Sequence, residues 1–93
     1  MLNIAFQMDP IEHVDVNADS TFDIALECFS RGHSIWVYEP RHLSLEDGQV
    51  RATVQHVQKL ERVQGHHVTL STPKVMDLAE MDVIFLRQDP PFD

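Results

Sequence analysis

Arg87, Asp89 and Asp93 fall within seven residues, Arg87-Gln88-Asp89-Pro90-Pro91-Phe92-Asp93, directly after the apolar run Val83-Ile84-Phe85-Leu86. One guanidinium and two carboxylates so close together suit the capture of a small charged molecule. Arginine binds a carboxylate bidentately, and the acids accept hydrogen bonds from an amine. Pro90 and Pro91 fix φ and remove backbone donors, which makes a stiff, non-helical exit from the buried strand that the apolar run predicts. Loops after strand C-termini are where open α/β sheets hold their ligands. The competing reading is a surface ion pair of Arg87 with Asp89 or Asp93, which contributes little. These residues taken alone leave both open. The sequence stops inside this loop, so the expectation is a fragment of a larger enzyme, a single domain spanning 1–93 and cut where its site begins.

Other elements must bring partners to that loop. Leu2, Ile4, Phe6 and Met8 alternate with Asn3, Ala5 and Gln7, the period of a half-buried strand, and Asp9-Pro10 ends it. Residues 9–19 read as a loop. Asp19 or Ser20 then caps a helix, since either side chain accepts from an orphan N–H of the first turn. Phe22, Ala25, Leu26 and Phe29 form its apolar stripe, and Gly32 is its C′ residue. Ser34 to Tyr38 is a second strand. Strand, helix, strand is a βαβ unit, whose strands should be parallel and whose crossover should be right-handed.

The middle of the chain changes character. Asp47-Gly48 between Leu43–Glu46 and Gln49–Val54 predicts a hairpin, because both turn residues need positive φ. The second strand is expected to run through about His56. A helix is the alternative, since Val54, Val57, Leu60 and Val63 lie three apart. Val68 to Leu70 predicts a short strand, Pro73 to Glu80 a loop with a helical turn, and Asp82 to Leu86 the last strand. The fold expected is α/β: a small, open, mostly parallel sheet with flanking helices and a β-hairpin insertion.

Composition limits the partners. Fifteen acidic residues against seven basic give a formal charge of −8, which argues against nucleic acid, since phosphate contacts need clustered Lys and Arg. No apolar run approaches the roughly 20 residues that cross a bilayer, and the start lacks a basic flank and a cleavage site, so a cytoplasmic protein with no membrane partner is expected. Cys28 is the one cysteine, which excludes an internal disulfide; beside the apolar stripe it reads as a small hydrophobe. Six histidines raise the question of a metal, but no H-x-x-x-H or Cys/His framework is present. They read as exposed or locally hydrogen-bonded, and no metal ligands are assigned. His66 and His67 are adjacent, so on a strand they would face opposite sides.

Asp9 after the first strand is a weak signal by itself. A receiver domain wants an acidic pair there and a lysine after the last strand; a dinucleotide fold wants G-x-G-x-x-G, and Met8-Asp9-Pro10-Ile11-Glu12-His13 has no glycine. Neither fits.

Two motifs taken together resemble bacterial glutathione synthetase. Met8-Asp9-Pro10-Ile11, with Asp19-Ser20-Thr21-Phe22 opening the helix, is similar to the start of that family, and Arg87-Gln88-Asp89-Pro90-Pro91-Phe92-Asp93 looks like its R-x-D-P-P-F-D segment. Tyr38-Glu39-Pro40 and the hairpin at Asp47-Gly48-Gln49-Val50-Arg51-Ala52 follow the same order. The stretch from Gln55 to Met81 matches least. The resemblance implies a pre-ATP-grasp, Rossmann-like domain of an ATP- and Mg2+-dependent ligase that joins γ-glutamylcysteine to glycine through an acyl phosphate. The nucleotide and metal would belong to a later ATP-grasp region, with none expected in this fragment, which would be inactive alone. The family is commonly oligomeric, so a homo-oligomer is implied. Arg87 would bind a substrate carboxylate, Asp89 and Asp93 would set the loop or accept from the amine, and Asp9, Asp19 and Ser20 would complete the pocket. No catalytic residue is assigned. Gln88 departs from the lysine frequent there in relatives, which removes one cationic contact. Two other classes stay open: an ATP-dependent carboxylate–amine ligase with another acceptor, and a non-catalytic assembly domain whose exposed hairpin pairs with a partner edge.

Overall fold

The computed structural model describes residues 1–86. Their elements are β1 (Asn3–Gln7), α1 (Ser20–Ser30), β2 (Ser34–Tyr38), β3 (Leu43–Glu46), β4 (Gln49–Leu60), β5 (Val68–Leu70), β6 (Lys74–Asp77) and β7 (Val83–Leu86), with 3-10 turns at Ile11–His13, Pro40–His42 and Leu78–Glu80. The fold is α/β, with one α-helix among the described residues.

The βαβ start is as the periodicity predicts. β1 pairs parallel with β2, Asn3 opposite Ser34 through Gln7 opposite Tyr38. β7 joins the other edge of β1, also parallel, from Ile4 opposite Val83 to Gln7 opposite Leu86. Asp19 is the residue that caps α1: its carboxylate accepts from the Phe22 N–H at 3.0 Å. At the far end Gly32 takes φ +86°, the left-handed C′ conformation, and its N–H returns to the Phe29 carbonyl.

The sheet is mixed rather than mostly parallel. Two of its six strand pairings are parallel, and the four antiparallel ones all involve β4. Asp47 (φ 51°) and Gly48 (φ 78°) make the expected hairpin turn. β4 then runs on to Leu60, past the expected end at His56, because it is paired along both edges. Arg51 and Ala52 bond β3 on one side and β6 on the other; Gln55 and His56 meet β2, and the final residues meet β5. The three-residue spacing of Val57 and Leu60 is not helical. The register shifts between Val57 and Lys59, and that bulge turns both side chains toward the same core. Lys74–Asp77, expected as loop, is strand β6; only the turn after it is as predicted.

The sheet separates two clusters. Against α1, Ile4, Phe6, Ile35, Val37, Val57 and Leu60 pack with Phe22 and Ala25, and Cys28 lies partly buried at their margin, as a small hydrophobe should. On the opposite face Ala5, Tyr38, Ala52 and Val54 are flanked by half-buried Trp36, Met76, Leu78 and Met81. Alternation along each strand divides the residues so: Phe6 faces α1 and Ala5 faces away. The apolar run Val83–Leu86 is not the buried strand expected of it. Among the described residues it pairs only with β1, its four side chains are exposed, and Phe85 stacks on Phe6 with ring centroids 5.0 Å apart. An all-apolar strand matches cover on both faces, and the described residues supply only part of that cover.

Candidate functional site

Gln7 is in register with Tyr38 on one side and with Leu86 on the other, so the three parallel strands end on one level. The polypeptide leaves that level at Met8 and at Glu39. These two segments shape a cavity of about 280 Å³ whose polar lining includes Asp9, Glu12, His13, Glu39, His42 and Gln55. A second, more open hollow of about 480 Å³ lies against the β1–α1 loop, between Asp9, His13, Asp15 and Asp19.

Of the residues expected from sequence, Asp9 and Asp19 come together around the second hollow, and Asp9 also borders the first. Asp9 is exposed; Asp19 is half-buried by its capping bond. Ser20 is exposed on the first turn of α1 and lines neither cavity. Arg87, Asp89 and Asp93 lie outside the described residues.

The walls are held by hydrogen bonds and one ion pair. The Glu39 N–H donates to His42 Nδ1 at 3.3 Å, and Arg41 pairs with the Glu39 carboxylate at 3.2 Å. Gln55 reaches across to the Ser71 carbonyl at 2.9 Å. Tyr38 is buried, and its desolvation pushes the phenol above its ordinary pKa, so it stays neutral at physiological pH. The lining is therefore rich in carboxylates and ring nitrogens, which suits a ligand carrying an ammonium group. Cations are scarce in it: Arg41 is already paired. Glu12, His13, Glu39, His42 and Gln55 were not singled out as site residues from sequence. Glu39 and His42 do follow a strand, with Pro40 between them, the one local signal that marked them.

Comparison with known proteins decides the family. A sequence-family profile described as "Prokaryotic glutathione synthetase, N-terminal domain" matches residues 2–93. This chain belongs to that family. It is 47% identical over 91 residues to the glutathione synthetase of Agrobacterium fabrum, covering 98% of this chain and 28% of the relative. The Brucella melitensis glutathione synthetase is 49% identical over 92 residues, 99% of this chain and 29% of the relative. That of Salmonella typhimurium is 32% identical over 93 residues, 100% of this chain and 29% of the relative. The chain thus spans less than a third of the length of these glutathione synthetases.

Within this glutathione synthetase domain, Asp19 has a structural task that can be measured apart from any ligand. Asp19→Ala should lower unfolding stability by about 1 kcal/mol, while Asp19→Asn, which can still cap, should lose much less. Urea denaturation of the 93-residue chain reads both. Equal losses in the two variants would mean that the charge at the helix start, not the capping bond, is what matters.

Proposed function

We propose that this domain forms one wall of the γ-glutamylcysteine site in a glutathione synthetase, an ATP-dependent ligase that joins the dipeptide to glycine. The observation that carries the reading is the common level of the three parallel strand ends at Gln7, Tyr38 and Leu86. That edge is where open α/β sheets bind ligands, and the chain continues from Leu86 straight into Arg87. The dipeptide has one ammonium and two carboxylates. Asp9, Glu12 and Glu39 suit the ammonium; Arg87 suits a carboxylate, with Asp89 and Asp93 setting its loop. Asp19 and Ser20 act on this reading through the helix start, and Asp9 through the rim of both cavities.

ATP with Mg2+ supplies, in such a ligase, the phosphoryl group that activates the carboxylate. The described residues do not fit that cofactor. Gly32, Gly48 and Gly65 stand singly at separate turns rather than in a phosphate-cradling loop. The start of α1 is already occupied by the Asp19 carboxylate, which repels an anion. Nucleotide and metal therefore belong, on this reading, to an ATP-grasp region elsewhere in the complete protein, and the pre-ATP-grasp domain contributes binding and orientation. Self-association belongs to the same reading: Leu45 and Val50, cross-strand partners on the β3–β4 hairpin, are both exposed. So does a cytoplasmic location. Among the described residues no helix is long and apolar enough to cross a membrane.

The test is ADP release by the complete protein with ATP, magnesium, γ-glutamylcysteine and glycine, beside residues 1–93 alone. Release that requires both amino-acid substrates, and is absent from 1–93, is expected. No release by the complete protein would remove glutathione synthesis and turn attention to other amine and carboxylate pairs.

A further inference from the structure

The β1–α1 loop forms the rim of both cavities. Its own backbone bonds, His13 to Pro10, Val14 to Ile11, and Ala18 and Asp19 to Asp15, make two local turns and leave the Val16 N–H and the Val14 and Val16 carbonyls to other partners. Residues Ile11, Val14 and Val16 point into the core and are buried. Burying loop backbone requires partners for its N–H and C=O groups. Beyond the local turns, they come from a distant stretch, the connection between β4 and β5. Gln64 bonds the loop twice: its Oε1 accepts from the Val16 N–H and its Nε2 donates to the Val14 carbonyl, each at 3.0 Å. His67, only 2% exposed, donates from Nε2 to the Ile11 carbonyl at 2.6 Å. Arg62 donates to the Val16 carbonyl and to the Asp23 carboxylate of α1, and its guanidinium lies 5.5 Å from the centre of the Phe22 ring. Three side chains thus satisfy four backbone groups of a loop 46 to 56 residues earlier in the chain.

We infer that Arg62, Gln64 and His67 are positioning residues for the binding site: a side-chain clamp that holds the β1–α1 loop in the shape its ligand requires. None of the three lines either cavity. They act from behind, on the segment whose other side carries Asp9, Glu12 and His13. The His67 ring also packs edge-on against Phe22, with centroids 5.7 Å apart, so the clamp is anchored in the core at the helix start. Its Nδ1 is buried without a hydrogen-bond partner, so the ring is retained for the Ile11 bond and its packing, at the expense of one unsatisfied atom. The consequence for binding is a population effect. Loosening the clamp lowers the fraction of molecules with a competent loop and raises the apparent dissociation constant by that factor, while saturating ligand restores the competent form.

This inference rests on the γ-glutamylcysteine reading above, and the test separates the two. In the complete enzyme, Gln64→Ala and His67→Leu should raise KM for γ-glutamylcysteine by about two- to tenfold, with kcat and KM for ATP nearly unchanged. His67→Gln, which keeps a donor able to reach the Ile11 carbonyl, should recover most of the loss. Hydrogen exchange should speed up across Ile11–Val16 in Gln64→Ala. A merely structural role would instead lower kcat through a smaller folded fraction, and would leave Leu and Gln at position 67 alike; either result overturns the clamp. Wild-type enzyme that does not consume γ-glutamylcysteine would sink the substrate reading, and exchange then decides alone: faster exchange across the loop supports the clamp, and unchanged exchange overturns it.

Discussion

Arg87→Ala in the complete enzyme is expected to raise KM for γ-glutamylcysteine by roughly ten- to a hundredfold, the loss of a hydrogen-bonded partner for a charged group. KM for ATP should stay within about twofold, because the arginine is assigned to the dipeptide and not to the nucleotide. The expectation follows from charge accounting around the site. The described lining is dominated by Asp9, Glu12 and Glu39, and its one arginine, Arg41, is paired with Glu39. A ligand with two carboxylates therefore depends on a cation supplied from elsewhere, and Gln88 has none to give. Arg87→Lys should recover only part of the loss, since a point charge does not reproduce a bidentate fork. Equal increases in KM for both substrates would sink the assigned role.

Local patterns carried most of the α/β start. Ile4, Phe6 and Met8 on one face of the sheet, the stripe at Phe22, Ala25, Leu26 and Phe29, and Gly32 after it all stand where the periodicity predicts, because each reports on backbone within a few residues. Leu2 is exposed, and Ala5 is buried because β1 is covered on both faces rather than one. Asp47-Gly48 was equally legible, since a turn with two positive φ values admits few residue types. What failed was non-local. β6 has two exposed and two half-buried residues and follows Pro73, so nothing in its own pattern says strand; it is one because β4 offers a free edge. The three-residue spacing at Val57 and Leu60 concealed a bulge that only pairing with β5 defines. The overall parallel sense was misjudged for the same reason, as β4 brings four antiparallel neighbours to a two-pair parallel core.

The site divides in the same way. Asp9 and Asp19 were singled out because one ends a strand and the other opens a helix, and both border the second hollow. Arg87, Asp89 and Asp93 were singled out by their own spacing and lie outside the described residues. His67 was not. It was expected exposed or locally bonded, and it is buried with a partner 56 residues away. No spacing around His66-His67 announces that partner. His66 is exposed and His67 buried, but both lie in the turn before β5, so strand alternation does not set the difference.

Phe22→Ala should be the most damaging single truncation in the helix. Its ring is fully buried at the point where α1, the sheet and the clamp meet, with His67 edge-on at 5.7 Å and the Arg62 guanidinium at 5.5 Å. Removing a buried aromatic ring of this kind costs about 3–5 kcal/mol, because the lost transfer energy adds to a cavity that relaxes only in part. Small domains hold about 5–15 kcal/mol in total, so the variant should sit close to its unfolding transition. Ile24→Ala, two residues along the same helix and 42% exposed, should change stability by no more than about 0.5 kcal/mol. Urea unfolding of the 93-residue chain gives both values, read from the single tryptophan. Trp36 reports well, since its ring lies against His56 with centroids 4.5 Å apart and under Lys74 Nζ at 5.4 Å, contacts that unfolding must break. Comparable losses in the two variants would mean that the helix docks differently. A large loss in Phe22→Ala alone, accompanied by faster exchange across Ile11–Val16, would tie the core to the rim of the cavity through Arg62 and His67, whose ring and cation contacts both vanish with the phenyl group.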